Sequence, residues 1–322
     1  MAGCRRSGRY RQTDAILDEA TLSIFKIATA QYAITRPSSF DAWCRKISEW
    51  CERASCADAK LLVFPEYAGM ELAGLLPDEE ARDLNGSIRG MQSFIADAVS
   101  LHAQLARRFG VHILQGSLPV AIDRGRYVNR AWLHAPGGRS GFQDKQIMTR
   151  FERETWMISG NAPLRLFDTS LGPMGILICY DSEFPLLARA LCEAGATLLL
   201  VPSCTETEAG YWRVRLGSQA RALENQCIAV HSPTVGTVSW SPAVDTNFGA
   251  AAIYGPPDAG WPASGILAAG VANEPCWVMG QVDMNLVART RADGNVLNHR
   301  DWSEQTGRDS QVPIPVEMID LR

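Results

Sequence analysis

Two spacings of apolar residues alternate along this chain. Lys26 to Ala33 reads as a strand. From Phe40 to Ala57 the apolar positions fall at helical spacing (Phe40, Trp43, Cys44, Ile47, Trp50, Cys51), with Ser38 or Ser39 where an N-cap belongs. Leu61 to Phe64 is a short continuous apolar run, the pattern of a buried strand. A helix over Gly90 to Phe109 follows, then strands over Val111 to Leu118 and Tyr127 to His134, closed by the turn Pro136-Gly137-Gly138. The second half repeats this style without repeating the sequence. A strand at Gly175 to Ile178 leads into a helix at Pro185 to Ala194, with proline at its first turn and Gly195 as its stop. Then come a strand at Thr197 to Val201, a helix at Trp212 to Glu224 and a strand at Gln226 to His231. Strands at Gly249 to Tyr254, Ile266 to Val271 and Cys276 to Asp283 have hairpin connections. β-α-β units mixed with hairpins predict mixed sheets covered by helices in one α/β domain.

The pattern sets boundaries. Residues 1–22 read as a flexible, charged lead-in, 23–290 as the domain, and 291–322 as a polar tail that packs on a neighbouring subunit or hangs loose. At 322 residues and 46% hydrophobic, the chain can bury a full core. Its net charge of −4 argues against a nucleic-acid or anionic-membrane binder. No apolar run approaches the roughly 18 residues of a membrane span, and the start lacks the apolar stretch of a secretory signal. The nine cysteines are odd in number and contain no Cys-x-x-Cys pair. They read as reduced thiols of a cytoplasmic protein. Cys51 and Cys56 lack the second pair or histidine that would complete a zinc set, so a structural zinc is not expected.

Three apolar runs end in chemically useful residues: Leu61-Leu62-Val63-Phe64-Pro65 before Glu66, Gly175-Ile176-Leu177-Ile178 before Cys179, and Leu198-Leu199-Leu200-Val201 before Pro202-Ser203. Each is the carboxyl end of a buried strand, where open α/β sheets place their ligand crevice. A thiol at a strand-to-helix turn faces the positive end of the helix, and the same turn aims backbone N–H groups at a developing oxyanion. None of the five histidines has the context of a partner for Cys179. A base for that thiol is then a carboxylate, and Glu66, ending an apolar strand, is the natural choice. Of 31 basic residues only four are lysines (Lys26, Lys46, Lys60, Lys145), so Lys145 stands alone in the later part of the chain.

Phe64-Pro65-Glu66, Asp144-Lys145-Gln146-Ile147-Met148 and Ile178-Cys179-Tyr180-Asp181-Ser182-Glu183-Phe184-Pro185 together resemble the nitrilase superfamily of carbon–nitrogen hydrolases. Arg221-Ala222-Leu223-Glu224-Asn225 and Val201-Pro202-Ser203 are similar to two further family motifs, and the resemblance runs from Phe25 to Asp283. It implies a four-layer α-β-β-α sandwich with two mixed β-sheets and a homodimer, or a higher homo-oligomer, built helix against helix. It implies Glu66 as general base, Cys179 as nucleophile, and Lys145 with the Tyr180 N–H as holders of the oxyanion, with no metal or organic cofactor required. The family often has a second glutamate after the lysine. Glu152 and Glu154 both qualify, and Glu152, directly after Phe151, is favoured. Cys179-Tyr180-Asp181 looks more like the amidase and carbamoylase branches than the nitrile branch, where Trp-Glu follows the cysteine. The expected substrate is therefore a linear amide or N-carbamoyl compound. Nitrile hydrolysis by the same triad and a catalytically silent interaction module are the alternatives. Tyr67, Trp156, Thr205, Glu206, Tyr211, Arg213 and Trp240 are candidates for the pocket wall, and Asp181 and Glu183 for fixing the turn through backbone or Arg189.

Overall fold

A computed structural model describes residues 23–123, 125–160, 163–305 and 317–319. The expected lead-in, 1–22, and the end of the tail lie outside them. Strand β1 (Ile24–Ala33) is followed by α1 (Phe40–Cys56), which Ser39 caps by accepting from the Ala42 N–H. Strand β2 (Ala59–Val63) leads through a 3₁₀ stretch (Ala68–Leu75) and short α2 (Asp78–Arg82) into α3 (Leu84–Phe109). Helix α3 begins six residues before its predicted start. Asp83 caps it by accepting from the Gly86 N–H, and Gly86 and Gly90 both lie inside the helix. Gly110, at φ +64°, ends it.

Strands β3 (His112–Asp123), β4 (Arg126–His134) and β5 (Ser140–Asp144) form an antiparallel meander. Two-residue strands β6 (Ile158–Ser159) and β7 (Leu166–Phe167) precede β8 (Met174–Ile176), α4 (Pro185–Glu193), β9 (Leu198–Ser203), α5 (Glu208–Asn225) and β10 (Ile228–Thr237). Strands β11 (Thr246–Asn247), β12 (Ala252–Tyr254), β13 (Ile266–Ala269) and β14 (Cys276–Asp283) complete the sheet, and α6 (Met284–Asp293), capped by Asp283, follows. The sequence reading missed α6.

The hydrogen-bonded path runs β5-β4-β3-β2-β1-β10-β9-β8-β7. The strands thus make one large mixed sheet where two were expected. The joint is narrow. Strands β1 and β10 meet in parallel only at Tyr32–Thr234 and Ala33–Val235, because both are ten residues long and reach each other at their carboxyl ends. Alternation along the strands divides the core. Ala28, Ala30, Leu62, Phe64 and Ile113 pack with Trp43, Ile47, Met91 and Leu105 of α1 and α3. Phe25, Ile27, Leu61, Val63 and Leu114 belong to the other cluster, with Ile176, Leu198, Leu200, Ile228 and Val230 and with Leu191 and Val214 of α4 and α5. Residues 291–305 lie against this chain: Arg291 donates to the Ala196, Asn225 and Gln226 carbonyls. Among the described residues no helix is long and apolar enough to cross a membrane.

Candidate active site

Glu66 leaves the end of β2 after Phe64-Pro65. Its backbone is set by a close approach: Ser117 N–H donates to the Pro65 carbonyl at 3.2 Å, and Gly116, at φ +83°, sits where a Cβ would collide with that same oxygen. Lys145 leaves β5, its N–H bound to the Asn129 carbonyl at 2.9 Å. Cys179 opens a 3₁₀ turn (Cys179–Glu183) after β8, at φ +51°, a left-handed conformation a cysteine adopts only under constraint. The three strand ends converge, and all three side chains line one cavity of about 420 Å³.

The charges there are buried and paired, as burial requires. Lys145 Nζ, on a side chain 1% exposed, donates to Glu66 Oε1 and to Glu152 Oε2, both at 2.7 Å. Glu152 is held tightly. Its Oε1 accepts from the Tyr67 hydroxyl at 2.6 Å and its Oε2 from the Thr149 N–H and hydroxyl at 2.9 and 3.0 Å. Glu66 accepts from the Cys204 N–H at 2.9 Å, and the Cys179 thiol, which lines the same cavity, donates to the Cys204 carbonyl at 3.9 Å. Asn129 Nδ2 donates to both carboxylates, at 2.8 Å to Glu66 and 3.2 Å to Glu152.

Protonation follows from these contacts. Burial would lower the Lys145 pKa, but Glu152 and Glu66 beside it hold the ammonium above its usual range. Burial would raise Glu152, yet Lys145 and its donors bring that carboxyl below the ordinary value. Glu66 has fewer donors and Glu152 for a neighbour, so burial wins and its pKa is raised. Burial, then the Glu66 charge, pushes the Cys179 thiol up. The resting state is an ammonium, an ionised Glu152 and a neutral thiol beside the carboxyl most able to take its proton.

Of the two candidate glutamates, the structure brings Glu152 to Lys145. Glu154 is turned to solvent, paired with Arg150 at 3.0 Å. Tyr67, Trp156, Thr205, Glu206 and Arg213 line the cavity; Tyr211 instead packs on His231 and Phe248, and Trp240 on Arg36. Asp181 binds backbone, as expected, but Glu183 faces Arg213 at 3.5 Å, while Arg189 pairs with Glu193. Asn129 and the Cys204 N–H were not foreseen. A signal existed for the first: Asn129 shares its strand face with Ala131 and Leu133, so it is a polar side chain pointed into an apolar core. The second is a main-chain donor, invisible to residue-type reasoning. Among the described residues no cluster of three or more His, Cys, Asp or Glu side chains could hold a metal ion.

Residues 26–291 match the Carbon-nitrogen hydrolase family. The chain belongs to that family, within the nitrilase superfamily. The chain is 34% identical over 276 residues to "Probable hydrolase YhcX" of Bacillus subtilis, covering 86% of this chain and 53% of the relative, so it spans about half that protein's length. It is 35% identical over 184 residues to the deaminated glutathione amidase of Synechocystis, covering 52% of this chain and 66% of the other. Its fold matches that of the amidase from Nesterenkonia sp. AN1 in complex with acrylamide, with a TM-score of 0.63 at 22% identity over 87% of this chain and 97% of that one.

Proposed function

We propose that the protein hydrolyses the C–N bond of a linear amide or N-carbamoyl compound through a thioester on Cys179. The convergence of Glu66, Lys145 and Cys179 in one cavity carries this reading. As the Cys179 sulfur attacks the carbonyl carbon, its proton passes to Glu66. The electron pair displaced onto oxygen is received by the Lys145 ammonium and the Tyr180 N–H. When the tetrahedral intermediate collapses, the C–N bond breaks and Glu66 returns the proton to the leaving nitrogen. Water then adds to the thioester, Glu66 takes its proton, and C–S cleavage releases the acid and restores the thiol. Glu152 keeps Lys145 charged and aimed.

Membership of a carbon–nitrogen hydrolase family and the amidases among the relatives support the reaction class. We further infer that the two halves of the sheet face one another to give α-β-β-α layering, since one apolar cluster joins strands of both halves. A homodimer is our reading of the apolar stripe on α5: Trp212, Leu216 and Leu223 are 43%, 59% and 39% exposed, with Leu186 of α4 at 72%. The test is ammonia or amine release from a panel of amides, N-carbamoyl amino acids and nitriles, with the Cys179→Ala protein as control. Turnover that survives Cys179→Ala, or robust turnover of nitriles with amides inert, overturns the proposal.

A further inference from the structure

We propose that Asp181 is a positioning residue: it clamps the Lys145 segment to the Cys179 turn and so fixes the spacing of the two groups that would receive the oxyanion. This rests on the amide-hydrolysis reading above. Strands β5 and β8, which deliver Lys145 and Cys179, stand near opposite ends of the sheet, with β4, β3, β2, β1, β10 and β9 between them. No ladder hydrogen bond sets their separation. Asp181 does so directly. Its Oδ1 accepts from the Ile147 N–H at 2.8 Å, and its Oδ2 from the Ile178 N–H at 3.2 Å. The Gln146 N–H lies between the two oxygens, at 3.2 and 3.1 Å. Gln146 and Ile147 follow Lys145 directly, and Ile178 directly precedes Cys179.

The carboxylate is fully buried, so water does not compete for these bonds. An ionised carboxylate accepts on both oxygens, which lets one side chain hold two segments at once. An asparagine has one acceptor oxygen, and its NH₂ would oppose an N–H donor on the other segment. The substitution nearly keeps the volume and breaks one side of the clamp. An oxyanion is held well only when its donors stand about 2.7–3.1 Å from where it forms. A misplacement of about 1 Å costs on the order of 10² in rate.

The experiment compares wild type with Asp181→Asn on the best amide of the panel. The expected result is a fall in kcat/KM of about 10² with KM within about threefold, the signature of an interaction lost mainly in the transition state. An aldehyde analogue of that amide provides a readout that a purely structural role would not move. The Cys179 sulfur bonds to the aldehyde carbon as its proton passes to Glu66, and the oxygen that receives the C=O electron pair lies where the oxyanion would. Its affinity should fall by the same factor as kcat/KM. Unchanged aldehyde affinity, or kcat/KM within threefold of wild type, overturns the clamp. If Cys179→Ala kills turnover while Asp181→Asn does not, the clamp fails and the reaction stands; if Cys179→Ala is active, the reaction itself fails. Should Asp181→Asn not fold, amide exchange in the wild-type protein decides. Gln146, Ile147 and Ile178 should be protected together, and unprotected exchange at Gln146 and Ile147 refutes the clamp.

Discussion

Acid should destabilise this protein through its buried histidines. Burial lowers the pKa of His102 and His112 to about 4 and of His134 and His231 to about 3, from an ordinary 6.5. All four are at most 3% exposed. A histidine whose folded pKa is depressed is neutral in the native state and charged in the unfolded chain at mildly acidic pH. Its contribution is complete above pH 6.5 and is lost as pH falls from there toward 4. At pH 5 each costs about 2 kcal/mol relative to pH 8, and the four together about 8 kcal/mol. Asp181 works in the opposite direction. Burial raises it to about 7, so it takes up a proton in the native state and gives back about 3 kcal/mol at pH 5. The net loss is about 5 kcal/mol, comparable with the whole stability of a marginal domain. Urea unfolding at pH 8, 6.5 and 5 reads this directly, and His134→Gln should remove about one proton from the slope of stability against pH. A stability that is flat or rises between pH 6.5 and 5 would refute the reasoning.

Glu152→Gln should lower kcat/KM by about 10², the order expected when a charged hydrogen bond to a buried ammonium is lost. Because the Glu152 charge helps raise the Glu66 pKa, the acid limb of the kcat/KM profile should move to lower pH; a limb that stays or rises contradicts the coupling. Lys145→Arg should not rescue a lysine deletion, since a planar fork cannot replace a compact ammonium between two carboxylates. A Lys145→Ala protein with activity within tenfold of wild type would remove Lys145 from the mechanism. Leu216→Asp should convert a dimer to monomers in analytical ultracentrifugation, and a wild type that is monomeric at tens of micromolar would discard the α5 interface.

Much of this fold was legible because period and burial agree. Phe40 to Cys51 is amphipathic at helical spacing and forms a helix; Leu61 to Phe64 is apolar throughout and is covered on both faces. What was misjudged depends on tertiary context. Helix α3 starts six residues before the expected Gly90, because the buried residues Ile88 and Met91 and the Asp83 cap outweigh the propensity cost of Gly86 and Gly90. Joining of the strands into one sheet rests on two residue pairs at Tyr32 and Ala33, too short a contact for any pattern to announce. In the site, the ionisable residues were visible because carboxylate, lysine and thiol at ends of apolar strands or in distinct motifs ask for a reason. Asn129 left only the trace of a polar side chain on an apolar strand face, and the N–H of Cys204 left none, for their role exists only once separate strands meet.

Under the proposed reaction, the cluster accounts for a deeply placed thiol that is protonated at rest and still able to attack a carbonyl. Two carboxylates face one ammonium, so the group carries an excess of negative charge when both are ionised, and burial makes that excess costly. The cost falls on the member with the poorer set of donors. Glu152 accepts from Tyr67, from both Thr149 donors and from Lys145, whereas Glu66 shares Lys145 and Asn129 with it and adds only the Cys204 N–H and the neighbouring thiol. Glu66 is therefore the carboxylate readiest to take a proton. Cys179 gains nothing by ionising first, because its own burial and the Glu66 charge both oppose it. A thiolate becomes favourable only as its electrons pass to a carbonyl carbon and the charge moves to an oxygen beside Lys145. The same negative environment that keeps the thiol protonated at rest thus makes Glu66 a competent base once a substrate is in place.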